Sequence, residues 1–132
     1  MAIRTGIDLI EIRRLETLNP SIRERFFARV YTEREREICA GRMERYAARF
    51  AAKEAVSKAL GTGIGEIGWK EIEIDAAENG APVLILSGEA AAKAAALGLS
   101  DWSVSLTHTK MYAAAVEVRR SEERRVGKEC RS

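Results

Sequence analysis

The sequence predicts an α+β domain in which a mainly antiparallel sheet packs with one long helix. Alternating apolar and polar residues mark strands near both ends of the chain, and an alanine-rich run at residues 43–61 is typical of a long helix. The order of elements is strand, helices, hairpin, helix, hairpin, which favours an antiparallel sheet. A chain of 132 residues is long enough for one domain with a buried core.

The first predicted strand, at residues 3–12, carries a carboxylate among apolar side chains. Alternation puts Ile7 and Leu9 on one face, and Asp8 on the other face with Ile10. A buried carboxylate is costly unless a cation or hydrogen bonds compensate it. Asp8 is therefore a candidate site residue, although spacing alone fits a surface aspartate on an edge strand equally well.

Capping and turn signals place the other elements. Asn19 and Pro20 supply an N-cap and a first helical position, and a capping box at residues 32–35 starts the next helix. Gly41 interrupts that helix before the long helix begins near Met43 and stops at Gly61. We predict strands at 69–75, 82–87, 102–109 and 111–118, a turn at residues 79–80, and a helix at 88–97.

Composition and charge exclude several classes of protein. The net charge of +2 is too small for a general nucleic-acid binder, and no apolar run approaches the length of a membrane span. Because the N-terminus lacks a signal-peptide pattern, we expect a cytoplasmic protein. Cys39 and Cys130 have no metal or redox spacing, so we expect Cys39 to be a free thiol. Five arginines within residues 12–32 suit a specific acidic partner.

The C-terminal residues differ in character from the rest of the chain. Residues 121–132 are highly charged and follow a predicted strand without any apolar periodicity. We interpret them as a disordered tail derived from an expression vector. The predicted domain therefore covers residues 1–120.

The long helix places charged groups in line with an aromatic residue. Phe50, Glu54, Ser57 and Lys58 are three or four residues apart and so share one face. A carboxylate and an ammonium group on this face indicate a site. The same Glu54–Lys58 spacing also fits a solvated salt bridge worth about 0.2–0.5 kcal/mol.

Two further motifs need interpretation. Residues 63–68 match the dinucleotide pattern GxGxxG, but they follow a helix, so their amides do not form a helix N-terminus. We interpret them as a tight helix exit that lets the backbone approach a ligand. His108, the only histidine, stands at a strand end, where a structural role and a ligand contact both stay open. Without a Cys/His cluster, it does not form a zinc site.

Three blocks together resemble a known family. They are GIDLIEI at residues 6–12, RFAAKEAVSKALG at 49–61 and SLTHTK at 105–110. In order and spacing they resemble the holo-[acyl-carrier-protein] synthases, the small bacterial class of 4′-phosphopantetheinyl transferases. Each block alone is modest evidence for the family, but the three together are specific evidence for it. The resemblance covers residues 1–120 and implies the phosphopantetheinyl transferase fold.

The resemblance implies roles for individual residues. Asp8 and Glu54 match the family's magnesium ligands, and Lys58 matches a lysine at the coenzyme phosphates, so these three are the expected catalytic residues. Arg14 and Arg25 lie where the family docks its carrier protein. Expected coenzyme contacts come from Lys58 and from Arg49, Lys53, Gly61, Thr62, Gly63, His108 and Thr109.

The implied activity is transfer of 4′-phosphopantetheine from coenzyme A to a serine of apo acyl carrier protein, with Mg²⁺, in fatty acid biosynthesis. The by-product is adenosine 3′,5′-bisphosphate, and Glu54 accepts the serine proton directly or through a metal-bound water. The family forms homotrimers, and we expect strands 102–108 and 112–116 to make the contacts. Two rivals are a non-enzymatic trimeric binding protein and another Mg²⁺-dependent phosphotransferase. Retention of all three catalytic residues argues against the first, and absent P-loop and kinase signatures weaken the second.

Overall fold

A long helix crosses one face of a three-stranded antiparallel sheet. The structure, a computed structural model, describes the backbone of residues 3–121 and the side chains of residues 3–113. Its helices are α1 (Arg13–Glu16), α2 (Pro20–Val30), α3 (Glu33–Cys39), α4 (Met43–Ala59) and α5 (Gly88–Ala96). Its strands are β1 (Ile3–Glu11), β2 (Ile72–Ala76), β3 (Pro82–Leu86), β4 (Leu99–His108) and β5 (Tyr112–Ser121), with a 3₁₀ turn (Trp69–Glu71) before β2.

The main sheet places the first strand beside the last one. Its strand order is β1-β5-β4, and β2 and β3 form a separate antiparallel hairpin. The register aligns Asp8 with Ala115, and Ala115 with Leu106. This topology confirms the predicted α+β class with a mainly antiparallel sheet and a long helix. It leaves β1, which carries Asp8, at an edge of the sheet.

The close crossing of α4 over β1 depends on Gly6. A Cβ at this position would lie 1.9 Å from the carbonyl oxygen of Ala55. On the side of α4 that contacts β1, small side chains such as Ala51 and Ala55 are fully buried. Asp8 lies two residues beyond Gly6 and so on the same face of β1. The crossing therefore sets Asp8 against α4.

We expect Gly6→Ala to destabilise the protein by about 3 kcal/mol or more, at the upper end of overpacking effects. The new Cβ would meet backbone atoms of Ala55 and Ala59, which cannot rotate away as a side chain could. Urea denaturation measures the loss. Gly63→Ala is the matched control, because no atom lies within 4 Å of a Cβ built there. Equal stability of the two variants would contradict the close crossing.

A buried ion pair joins α3, α4 and β2. The Lys53 Nζ atom lies 2.8 Å from Glu35 Oε1, and both side chains are fully buried. Lys53 also donates hydrogen bonds to the carbonyl oxygens of Trp69, at 3.0 Å, and Ile72, at 2.6 Å. Glu35 Oε2 accepts from the Ile74 N–H at 2.8 Å. These bonds fix the rotation of α4 relative to the β2–β3 hairpin.

The predicted helix starts are confirmed. The Asn19 side chain accepts a hydrogen bond from the Ser21 N–H, and Thr32 and Glu35 make both bonds of a capping box. Cys39 is a free, fully buried thiol, and burial raises its pKa to about 11. Within residues 3–121, no helix is long and apolar enough to cross a bilayer.

Some predicted boundaries are wrong. The short helix α1 was not predicted; it turns the chain after β1 and buries Leu15. Residues 69–71 form a 3₁₀ turn instead of the start of a strand, because the Glu71 N–H bonds to the Gly68 carbonyl. Ser121, assigned to the tail, is the last residue of β5, and residues 122–132 lie outside the described residues.

Candidate active site

Three of the predicted residues meet where α4 crosses β1. Asp8 comes from β1, and Glu54 and Lys58 stand one turn apart on α4. The Lys58 Nζ atom lies 3.1 Å from Asp8 Oδ1 and donates to the Ile7 carbonyl oxygen at 3.2 Å. Lys58 therefore forms its ion pair across to the strand, in place of the local pair with Glu54 that its spacing suggests.

The meeting point of these three side chains, called the cleft below, holds an excess of negative charge. Burial raises the pKa of Glu54 above its ordinary value, and the charge of Asp8 raises it further, while Lys58 lowers it. Two carboxylates and one ammonium group give the cluster a net charge of about −1 when all three are ionised. Such a cluster favours a further cation, which would relieve the repulsion between Asp8 and Glu54.

The donor set fits Mg²⁺. This ion prefers oxygen ligands and is usually bound by one or two carboxylates together with water and substrate phosphates. The Asp8 side chain is 20% exposed and Glu54 is half-buried, so both carboxylates are accessible to a ligand. Among residues 3–113, no cluster of three or more His, Cys, Asp or Glu side chains could hold a metal alone. A cation here would take its remaining ligands from water or from a substrate.

The glycine-rich segment, residues 61–68, lies just beyond the C-terminal end of α4, the end that carries Lys58. Gly61 adopts a φ of 78°, and the Thr62 N–H donates to the Ser57 carbonyl at 3.1 Å. This geometry gives α4 a tight exit at residues 61–62, immediately before the segment 63–68 for which we predicted one. Thr62, whose hydroxyl contacts the Glu66 carboxylate, lines a cavity of about 350 Å³ with Lys93.

His108 and Thr109 lie near the opposite end of α4. They line a second cavity, of about 410 Å³, together with Glu44. Glu44 is in the first turn of α4, ten residues before Glu54, which corresponds to about 15 Å along a helix. A single chain therefore does not bring His108 into the cleft of Asp8 and Glu54.

Arg49 and Lys53 do not reach the cleft. The ammonium group of Lys53 is fully buried against Glu35 and two carbonyl oxygens, which contradicts its expected contact with a phosphate. Arg49 is only 6% exposed and donates from Nε to the Ile74 carbonyl at 3.0 Å. Both side chains hold α4 against the β2–β3 hairpin, and no local sequence signal points to Glu35 as the partner.

Arg14 and Arg25 lie on the surface. Arg14 belongs to α1 and Arg25 to α2, and both are exposed. Their side chains are thus accessible to a partner, as a docking role requires.

Two carboxylates and a lysine that meet in this way suit an enzyme that acts on a phosphorylated substrate, because Mg²⁺ is usually bound by carboxylates and substrate phosphates together. A helix crosses an antiparallel sheet, and two carboxylates and a lysine meet at the crossing. The family model of the 4′-phosphopantetheinyl transferase superfamily matches residues 4–117. The chain belongs to this superfamily of transferases.

Similar proteins from several bacteria carry one name. A holo-[acyl-carrier-protein] synthase from Moorella thermoacetica is 47% identical over 119 residues, 86% of this chain and 91% of that protein. One from Koribacter versatilis is 40% identical over 119 residues, 87% of this chain and 95% of that protein.

Solved structures give the same result. The holo-[acyl-carrier-protein] synthase of Helicobacter pylori in complex with coenzyme A has a TM-score of 0.79 and 33% identity, over 88% of this chain and 99% of that one. The Bacillus anthracis enzyme in complex with CoA (3′,5′-ADP) has a TM-score of 0.73 and 36% identity, over 92% of this chain and 100% of that one. These similarities confirm the predicted family and fold.

Proposed function

We propose that this chain transfers 4′-phosphopantetheine from coenzyme A to a serine of apo acyl carrier protein, as an Mg²⁺-dependent enzyme of fatty acid biosynthesis. The observation that carries the proposal is the meeting of Asp8, Glu54 and Lys58 in one cleft. The matching family model and the names of the relatives support it. A cytoplasmic location belongs to the same proposal.

Each residue of the cleft has its own role in a phosphoryl-type transfer. The serine oxygen attacks the β-phosphorus of coenzyme A, and adenosine 3′,5′-bisphosphate leaves with the bridging oxygen. Asp8 and Glu54 would hold Mg²⁺, which supplies charge neutralisation and orientation at the phosphates. Glu54 accepts the serine proton, a role that its raised pKa favours. Lys58 offsets negative charge on the pyrophosphate.

The coenzyme would lie between two protomers. We assign its contacts to Lys58 and the segment Gly61-Thr62-Gly63 at one end of α4, and to His108 and Thr109 at the other end. Because His108 is remote from Glu54 within one chain, a neighbouring protomer is better placed to supply it. Arg49 and Lys53 are left out because both are buried in the fold.

Mass spectrometry of an apo carrier protein tests the activity. The full chain, coenzyme A and Mg²⁺ should add the mass of one phosphopantetheine group, and a chelator should abolish the gain. A non-enzymatic binding protein would bind coenzyme A without any mass change. No gain on a carrier that a known synthase modifies would overturn the proposal.

We also propose a homotrimer, and to strands 102–108 and 112–116, which we expect to form its contacts, we add the outer face of β1. On β4, Trp102 and its apolar neighbours pack on the chain's own core. The outer face of β1 instead exposes Ile3, Ile7 and Leu9, which are 62–63% accessible. A self-associating sheet face would bury this apolar stripe.

Light scattering with Ile7→Glu checks the assembly. We expect the wild-type chain to be a trimer and the variant to dissociate, because a charge would be forced into an apolar contact. Ile85→Glu is the control, since Ile85 is similarly apolar and 42% exposed but lies on the hairpin. A fully active wild-type monomer would overturn the trimer.

Reversing the charge at Arg14 should affect the carrier protein far more than coenzyme A. Arg14→Glu is expected to raise the KM for an acidic carrier and to reduce the salt dependence of the reaction, because rim charges act mainly on association. Steady-state kinetics with each substrate varied measure both effects. Lys70→Glu, at an exposed site on the 3₁₀ turn, is the control. Equal effects on the two KM values would contradict docking at Arg14.

A further inference from the structure

The positively charged ammonium group of Lys58 lies directly beside the Asp8 carboxylate. It contacts Asp8 Oδ1 at 3.1 Å and the Ile7 carbonyl oxygen at 3.2 Å, so two oxygen atoms of β1 surround one positive charge. Lys58 belongs to α4, and its side chain spans the crossing to reach them. Asp8 is thus already paired with a cation from the chain itself.

This ion pair is easily exchanged. The Lys58 side chain is 56% exposed, whereas Asp8 is 20% exposed. Exposed pairs of this kind contribute only about 0.2–1 kcal/mol, so a competing cation can replace the lysine at low cost. The Asp8 carboxylate is the more fixed partner, because β1 holds it against α4 near Gly6.

The same ammonium group has a second role in the proposed reaction. There Asp8 binds a divalent cation and Lys58 contacts the phosphates of coenzyme A. An ammonium group held by Asp8 and the Ile7 carbonyl has to leave those oxygens to serve a phosphate, and Asp8 has to release it to serve a metal. Binding of a metal at Asp8 therefore releases Lys58 for the phosphates, and movement of Lys58 to the phosphates releases Asp8 for the metal.

We propose that Lys58 competes with the divalent cation for Asp8. Lys58 pairs with Asp8, and a divalent cation that binds Asp8 displaces Lys58, which then moves to the phosphates of the substrate. This inference rests on the proposed function, because it takes Asp8 as a metal ligand. A lysine that served only the phosphates, without contacting Asp8, would change metal affinity only slightly when removed, through screened repulsion.

Binding of Mn²⁺ to the full chain without coenzyme A tests the competition, with free Mn²⁺ measured by electron paramagnetic resonance. We expect Lys58→Met to tighten binding on the order of tenfold, because a competing and repelling positive charge is lost. Lys58→Arg keeps the cation and should bind Mn²⁺ as weakly as wild type. Lys70→Met removes the same charge from an exposed site elsewhere and should leave the affinity unchanged.

The outcomes separate this inference from the proposed function. Equal or weaker Mn²⁺ binding by Lys58→Met overturns the competition, as does failure of both this variant and wild type to bind. Asp8→Asn should abolish the binding. If Asp8→Asn binds Mn²⁺ as Lys58→Met does, the assignment of Asp8 as a metal ligand is itself wrong.

Discussion

Asp8→Asn is expected to reduce turnover at least about a hundredfold, the usual scale for loss of one group that stabilises charge in a transition state. The amide keeps the shape of the side chain but removes one of the two negative charges that would hold Mg²⁺. Because the variant loses mainly affinity for Mg²⁺, part of the activity should return at high Mg²⁺ concentration. Initial rates of carrier modification over a range of Mg²⁺ concentrations measure both effects.

Glu54→Gln should be at least as severe and should not recover with added Mg²⁺. Its carboxylate has two proposed roles, as a metal ligand and as the acceptor of the serine proton, and an amide cannot take up that proton. Glu54 also repels Asp8, which contributes to its raised pKa. The variant should therefore melt at a higher temperature than wild type in the absence of metal.

Asp75→Asn provides the matched control for both variants. Asp75 is a carboxylate on the hairpin, paired with Arg34 at 2.9 Å and outside the cleft. Its loss should leave turnover within about twofold, since a surface pair contributes at most about 1 kcal/mol. Near-normal turnover of Asp8→Asn or Glu54→Gln at limiting Mg²⁺ would show that the cleft carboxylates are structural.

Local signals in the sequence predict most of the elements but not their arrangement. The N-cap at Asn19 and the capping box at Thr32 involve residues two or three positions apart, so a short window contains the whole interaction. The strand order β1-β5-β4 joins residues about a hundred positions apart, such as Asp8 and Ala115. No local pattern encodes that pairing.

The two lysines of α4 show that local sequence patterns are equally limited in predicting the site. Lys53 and Lys58 stand on one alanine-rich helix, and both are plausible phosphate contacts by residue type. What separates them is the partner: Glu35 is 18 positions before Lys53, whereas Asp8 is 50 positions before Lys58. Only the packing of α3 and β1 on opposite parts of α4 shows that one lysine is structural and the other lies in the cleft.

Lys53→Met should destabilise the protein by about 3–5 kcal/mol, because it leaves the buried carboxylate of Glu35 without its cation. This is a large share of the roughly 5–15 kcal/mol that holds an average domain folded. Chemical denaturation at neutral pH measures the loss. The exposed Lys93→Met on α5 is the control and should change stability by less than about 0.5 kcal/mol.

Adding Glu35→Gln to Lys53→Met should recover part of that loss. The double variant removes the uncompensated charge, while the amide oxygen can still accept a backbone hydrogen bond of the kind that Ile74 donates to Glu35. Some loss should remain, because an amide cannot serve every donor that the carboxylate serves. A double variant that is less stable than Lys53→Met would show that the charge of Glu35 is not the cause.

The pH dependence of the same pair gives an independent check. Burial lowers the pKa of Lys53 from its ordinary value of 10.5, and the charge of Glu35 only partly opposes this. Between the lowered folded pKa and 10.5, the unfolded chain binds more protons at this site than the folded protein does. Stability contributed by Lys53 therefore rises with pH across that window. The advantage of wild type over Lys53→Met should grow as the pH rises through this window towards 10.5, and an advantage that shrinks would contradict a buried lysine at this position.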